Sequence, residues 1–274
     1  MRFLILISAL PLARFVIIYE PKGKAREYSP LALNVYSGGC DHRCDYCYCS
    51  ALQRKWNGVP VPRKLDGLEN EARSASRQIL LCFMSDPYCK AEETHKQTLA
   101  ALRVLKSNRC SVAILSKGGK RILRDLDMFK SWLDGRIKVG ATLTFADKTM
   151  SSLHEPGAAS PGERVETLRI LHESGVKTWA SIEPVIDPEQ SLAIIESSLP
   201  YVDAYKVGKL NHRKNDTDWA TFAMRAVNMI RAEGKALYVK DDLRKHLSDR
   251  YLTKAECDME SLALPDRPVE RMLL

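Results

Sequence analysis

Residues Asn34 to Ser50 read NVYSGGCDHRCDYCYCS and hold four of the chain's eight cysteines. Three of these, Cys40, Cys44 and Cys47, follow the spacing C-x3-C-x2-C. Thiolates are soft ligands, and three so close together suit three irons of a [4Fe–4S] cluster, leaving a fourth iron open to substrate or cofactor. A zinc site or an electron-transfer cluster are the bland alternatives. A zinc knot pairs two ligand dyads across a finger-length loop, whereas Cys82, Cys89, Cys110 and Cys257 stand singly. Cys49 joins a zinc set only by converging with Cys47 from two positions away; it reads as an extra redox thiol or auxiliary ligand, or else as a small buried hydrophobe on the helix after the loop. Tyr46, just before the third cysteine, offers a flat face to a nucleobase. Ser37, Gly38 and Gly39 let the backbone turn tightly at the start of the loop.

At 274 residues the chain is long enough for one large domain with a real core. The reading divides it into a lead-in over 1–30, a main body over 31–240 and a helical extension over 241–274. The formal net charge of +8 is compatible with a polyanionic partner and common without one. Four cysteines packed into ten residues do not resemble a secreted disulfide framework, so a reducing compartment, the cytoplasm, is expected. The opening MRFLILISALPLARF is interrupted by Pro11 and Arg14 and reads as an edge strand, or as an upstream start ahead of the main body, rather than a leader. No stretch approaches about eighteen apolar residues, so no membrane span is expected.

Beyond the cysteine loop, short apolar runs alternate with amphipathic segments. Strands are expected at 31–36, 79–84, 111–115, 137–145, 177–182, 204–207 and 236–239. Helices are expected at 45–56, 93–106, 121–133, 161–174, 188–197 and 218–232, with a helical piece from Asp241. Tyr19 to Pro30 reads as extended and Gly58 to Gly67 as a connector. Buried strands alternating with helices imply βαβ units and a parallel sheet. The fold class is therefore α/β, a partial (β/α)6 barrel, whose functional residues belong at the carboxyl ends of its strands. Those ends carry Ser85-Asp86-Pro87-Tyr88, Ser116-Lys117-Gly118-Gly119, Thr142 with Thr144, Glu183-Pro184, and Lys206 with Gly208.

The spacing of Cys40, Cys44 and Cys47, with Tyr46, resembles the signature of the radical S-adenosylmethionine (radical SAM) enzymes. The runs SPLALNVYSGGCDHRCDYCYC, FMSDPY, ILSKGG, RDLD, LHEPGAASP, SIEPVIDP and YKVGKL, spread from Ser29 to Leu210, are similar to the spore photoproduct lyase-like branch. The resemblance implies that Cys40, Cys44 and Cys47 ligate the cluster and that the open iron chelates SAM. It implies Tyr46 and Tyr48 beside the adenine, Ser85 and Asp86 at the methionine amino end, and Lys117 at the SAM carboxylate. Thr142 or Thr144 would meet the ribose or methionyl end, and Gly208 would admit the adenine. The implied activity is cleavage of SAM to a 5′-deoxyadenosyl radical and hydrogen abstraction from a nucleic-acid base or nucleotide, with an external electron donor. The branch places its thiol hydrogen donor two positions before the serine, where this chain has Phe83. Cys82 should face the other way by strand alternation, which leaves Cys89 as the candidate donor and puts thymine-dimer repair in doubt. Glu183 is a candidate substrate group, or else one half of a rim ion pair. His212-Arg213-Lys214, with Arg121, Arg124, Lys240, Arg244 and Lys245, is the candidate phosphate-steering surface. The contrasting reading is a non-catalytic iron–sulfur or zinc protein that binds nucleic acid.

Overall fold

The computed structural model describes residues 16–49, 58–211 and 216–267. The strands among them are β1 (Ile18–Tyr19), β2 (Leu31–Leu33), β3 (Tyr36–Ser37), β4 (Val61–Pro62), β5 (Ile79–Leu81), β6 (Val112–Ser116), β7 (Ile137–Thr142), β8 (Lys177–Ile182), β9 (Ala204–Val207) and β10 (Ala236–Val239). One sheet has the order β1-β2-β5-β6-β7-β8-β9-β10. It is parallel from β2 to β10, with β1 antiparallel on its edge. β3 and β4 form a separate antiparallel pair next to the cysteine loop. The architecture is thus the expected α/β partial barrel, with β10 as a seventh parallel strand and no closed barrel among the described residues.

Strand alternation sorts the side chains onto two faces. Ile79, Leu81, Val112, Ile114, Ile137 and Val139 pack into one outer core. Ala180, Ile182, Tyr205, Val207, Leu237 and Val239 pack into a second. The inner face is different: Leu80, Ala113 and Trp179 meet Tyr28, Phe83, Leu115 and Ala204. A Cβ at Gly140 would lie 2.4 Å from the Trp179 carbonyl oxygen and 2.6 Å from its indole, so only glycine leaves room for both.

The helices are α1 (Leu68–Ser74), α2 (Ala91–His95), α3 (Gln97–Ser107), α4 (Leu126–Lys130), α5 (Lys148–His154), α6 (Pro161–Glu173), α7 (Pro188–Ser198), α8 (Trp219–Ala232), α9 (Asp241–Arg244) and α10 (Lys254–Cys257). The single helix expected over 93–106 is broken at Lys96, whose φ is 51°. Buried Glu92 explains the break, since its carboxylate accepts from the amides of Thr98 (2.8 Å) and Leu99 (3.2 Å) and so caps α3. The helix expected over 121–133 is a 3-10 turn, Gly119–Asp125, leading into α4. α5 is an addition to the expected elements, and its signal is Asp147, which accepts from the Met150 amide at 2.7 Å. The expected edge strand before residue 16, most of the helix over 45–56 and the loop 212–215 lie outside the described residues.

Two segments complete what the sheet leaves open. Tyr19 to Pro30 is not extended throughout: it holds a 3-10 turn, Gly23–Glu27. Glu27 accepts from the Tyr238 hydroxyl and the Asp241 amide, both at 2.8 Å, which ties the turn to β10 and α9. Lys206 of β9 donates to the carbonyls of Glu27 and Tyr28. The turn therefore bridges from the β2 side of the sheet to its β10 edge. At the amino ends of the strands, the tail after α10 lies across the opening. Leu264 donates to Gln78 (2.9 Å), Ser111 donates to the Pro265 carbonyl (2.6 Å), and Lys138 reaches the Leu262 carbonyl. The extension is thus two single helical turns and an irregular floor. Burial pulls the Lys138 ammonium down to about 7, with Lys177 adding to the effect.

Removing the Glu27 carboxylate would leave a buried hydroxyl and a buried amide without their acceptor. Glu27→Ala should lower stability by about 1–3 kcal/mol, read as a reduced urea midpoint with unchanged m-value.

Candidate active site at the barrel mouth

The cysteine loop starts at Gly38, whose φ is +79°, and at Gly39, where a Cβ would lie 2.5 Å from the Val59 amide nitrogen. The close approach at Gly39 is to backbone, the 58–59 segment, and this is the reason for the second glycine. Cys40, Cys44 and Cys47 are partly exposed, whereas Cys49, Cys82, Cys89 and Cys110 are buried. The loop carries two turns, closed by Arg43 N to Cys40 O (3.4 Å) and Cys47 N to Cys44 O (3.2 Å).

The segment after β7 clasps this loop. Asp45 donates its amide to the His154 carbonyl (3.0 Å), and Gly157 donates its amide to the His42 carbonyl (2.9 Å). The His42 Nδ1 lies 3.0 Å from the Gly157 carbonyl oxygen. A Cβ on Gly157 would stand 1.9 Å from the Asp41 carbonyl oxygen, so no side chain fits between the two segments.

Asp86 is the second fastening. One oxygen accepts from Ser116 Oγ (2.6 Å) and the Tyr88 amide (2.7 Å). The other accepts from the Lys117 amide (2.7 Å) and lies 3.0 Å from His42 Nε2. Burial alone would raise its pKa, but His42 and these hydrogen bonds hold it well below the ordinary carboxylate range. Asp86 thus spends both oxygens on its own chain, joining two strand ends to the cysteine loop. Its neighbour Ser85 differs, since Ser85 Oγ is buried with no hydrogen-bond partner among the described residues.

Glu155 is the third, and the sequence reading gave it no role. Its carboxylate accepts from the Tyr46 hydroxyl, from Arg164 and from Ser151 Oγ (3.2 Å). Lys117 Nζ lies 3.6 Å from it and 5.0 Å from the centre of the Tyr46 ring. Burial opposes the Glu155 charge, yet Lys117 and Arg164 pull its pKa down to about 2. Burial likewise disfavours the Lys117 ammonium, and Cys44, Tyr46 and Glu155 together keep it well above the ordinary lysine range. Thr144 Oγ1 lies 3.5 Å from the Tyr46 hydroxyl, and the Thr142 carbonyl accepts from Arg164 (2.9 Å). The sequence-expected Tyr46, Lys117, Thr142 and Thr144 are therefore brought together, with Glu155 and Arg164 as the pair that organises them.

Other expected residues lie elsewhere. Tyr48 is 46% exposed, with its hydroxyl 3.5 Å from the Phe83 carbonyl oxygen. Phe83 meets Tyr28 edge-on on the inner face, and Cys82 packs with the outer core, the opposite orientations expected from alternation. Cys89 is 0% exposed and belongs to the outer core rather than the mouth. Glu183 is the rim ion pair. It bonds Lys240, the Tyr28 hydroxyl (2.7 Å) and Asn211 (3.0 Å). The space at Gly208 is taken by that same carboxylate, whose oxygen would be 2.7 Å from a Cβ. The expected basic surface is largely self-paired, Arg124 with Glu92 and Asp125, Arg244 with Asp241, and Lys245 with Asp242.

Residues 34–199 match the family described as the Radical SAM superfamily. This chain belongs to the radical SAM superfamily. Its cofactors are accordingly a [4Fe–4S] cluster and SAM. The residues fit them: three partly exposed thiols on one tight loop, beside a buried Ser85 hydroxyl lacking an acceptor or donor among the described residues. The radical SAM chain is 30% identical over 180 residues to a Methanocaldococcus jannaschii protein called Uncharacterized protein MJ0683, covering 63% of this chain and 68% of that one. Its fold is similar to Streptococcus suis SuiB bound to precursor peptide SuiA, with TM-score 0.60 and 14% identity, over 78% of this chain and 50% of SuiB. It is also similar to a mutant spore photoproduct lyase with bound AdoMet and dinucleoside spore photoproduct, with TM-score 0.58 and 14% identity, over 81% of this chain and 64% of that one. The chain thus spans half the length of SuiB and under two thirds of the lyase. No helix among the described residues is long and apolar enough to cross a membrane.

Because its pKa is depressed, Glu155 contributes stability that is complete above its ordinary value near 4.5 and is lost as pH falls towards 2. Glu155→Gln should flatten that part of the acid-unfolding profile. It should also cost about 3–5 kcal/mol at neutral pH, since Arg164 and Lys117 lose a buried counter-charge. Urea titrations at several pH values check both.

Proposed function

We propose that this radical SAM chain holds its cluster by Cys40, Cys44 and Cys47 and abstracts hydrogen from a nucleic-acid base or nucleotide presented at the barrel mouth. When bound, the reduced cluster and SAM supply a 5′-deoxyadenosyl radical. The observation that carries the reading is the triply fastened cysteine loop, clasped at Gly157, Asp86 and Glu155 directly over the strand ends. Groups that position a cofactor act through rigid second contacts of this kind.

The chain's own residues have distinct tasks in this proposal. Ser85 offers the free buried hydroxyl to the methionine end of SAM, and Lys117 offers charge to its carboxylate. Tyr46, fixed by Glu155, gives the adenine its flat face, and Asp86 positions the loop. The inner face supports a flat substrate: Tyr28, Phe83 and Trp179 provide rings. Above them the polar groups Asn211, Glu183 and Lys240 are already joined and can exchange partners at a base edge. The likeness to a lyase solved with a dinucleoside supports the same substrate class. Repair or modification of a thymine-related base in the cytoplasm, fed by an external electron donor, is the full reading. With Phe83 at the branch's donor position and Cys89 in the outer core, neither residue offers a thiol to the mouth.

The proposal is tested on anaerobically reconstituted protein. Cys40→Ala, Cys44→Ala and Cys47→Ala should each lose most of the bound iron, and Cys110→Ala should keep it. Ser85→Ala should weaken SAM binding by about tenfold and Lys117→Met by about one to two orders of magnitude, at constant iron content. Release of 5′-deoxyadenosine is then compared with thymine-containing oligonucleotides, free nucleosides and no addition. Stoichiometric zinc in place of iron overturns the cluster assignment. Equal release in all three mixtures removes the nucleic-acid assignment alone.

A further inference from the structure

On the outer side of the loop after β5 lies a cleft of about 220 Å³ whose lining includes Cys89, Glu92, Glu93, Lys120, Arg121 and Arg124. The cations in it are not equivalent. Arg124 is held by Glu92 and Asp125, each at 2.7 Å. Arg121 spends its Nε on the Tyr88 carbonyl (2.8 Å), while its Nη2 is buried with no hydrogen-bond partner among the described residues. Glu163 spends a carboxylate oxygen on the Lys120 amide (3.0 Å), leaving the Lys120 ammonium at the rim. Lys120 is exposed and neither it nor Arg121 forms an ion pair among the described residues, so their charges favour an anionic partner.

The floor of the cleft leads directly to the cysteine loop. Cys89 is followed by Lys90, whose side chain is exposed and whose amide donates to Asp41 at 2.6 Å, and Asp41 adjoins Cys40. From the cleft floor to a proposed cluster ligand there are thus one hydrogen bond and two residues of chain. Electron tunnelling decays steeply with distance and favours bonded paths, so a redox partner gains from sitting here.

We infer that this cleft, with Lys90, Lys120 and Arg121, is the docking site of an acidic one-electron donor protein that reduces the cluster. The inference rests on the cluster assignment proposed above. One electron leaves the donor and enters the cluster, and no bond forms or breaks. Exposed lysines around an anchoring arginine would steer an acidic partner and make its association salt-dependent.

The test uses reconstituted holoprotein, with reduced flavodoxin as the acidic donor and dithionite as the small-molecule donor. Cluster bleaching is followed by stopped-flow absorbance, and flavodoxin affinity is measured separately by titration. Lys120→Glu with Arg121→Glu should slow reduction by flavodoxin about tenfold and weaken its binding. The same variant should be reduced by dithionite at the wild-type rate. Lys120→Glu alone, a change at an exposed ammonium, should show a smaller loss of the same kind and decides the matter if the double variant is poorly folded. Flavodoxin reduction at the wild-type rate in both variants, or without salt dependence in the wild type, overturns the inference. A wild-type sample with no dithionite-reducible chromophore overturns the cluster assignment instead.

Discussion

Glu155 has no exposed side-chain surface, and the mouth of this barrel depends on its charge. A lone carboxylate buried so deeply would cost several kcal/mol, and Arg164 with Lys117 offsets that cost. The consequence reaches further than the ion pair. Arg164 comes from α6, Lys117 from the end of β6, Tyr46 from the cysteine loop, and Glu155 from the segment after α5. The cysteine loop, the end of β6 and the segment from α5 to α6 are fixed against one another by one group. Asp86 repeats the device on the other side of the loop through His42, Ser116 and the Lys117 amide. Lys117 therefore receives its backbone position from one buried carboxylate and its charge environment from another.

Much of this was legible in the sequence where local and global signals agree. β8, β9 and β10 stand where the apolar runs KTWASI, AYKV and ALYV placed them, because each run is short, continuous and bracketed by polar turns. The helix at 161–173 was marked by the Ser160-Pro161 pair, and Ser160 does accept from the Glu163 amide, at 3.3 Å. The three-cysteine loop carries the spacing on which the resemblance to the radical SAM enzymes rests, and the family match agrees with it.

What was not legible depends on side-chain contacts that cross element boundaries, some near in sequence and some far. Nothing in LHEPGAASP says that its glutamate is met by an arginine on the following helix, because that helix reads as an ordinary amphipathic surface. The break at Lys96 follows from a cap supplied by Glu92, and a run of good helix formers conceals it. The sequence offers Glu183 as a substrate group or as one half of a rim ion pair with no partner named, and Lys240 as surface charge. Their pairing across the inner face, with Lys240 3.7 Å from the centre of the Tyr28 ring, makes them one unit. Cys89 looked close to the mouth in sequence, but the Asp86 carbonyl accepts its amide at 3.3 Å and the turn carries the thiol outward.

The bridging turn at Gly23–Glu27 and the floor at 258–267 also bear on how the chain acquires its shape. Glu260 receives Arg26 at 2.8 Å and Arg77 at 2.6 Å, so early and late segments meet on one carboxylate. Contacts of such sequence separation carry a large loop-closure entropy and form late. During synthesis the cysteine loop leaves the ribosome long before the floor exists, and the lumen at that stage is open from below and from the side. The lumen is therefore covered last at the amino ends of its strands, opposite the mouth that carries Cys40, Cys44 and Cys47.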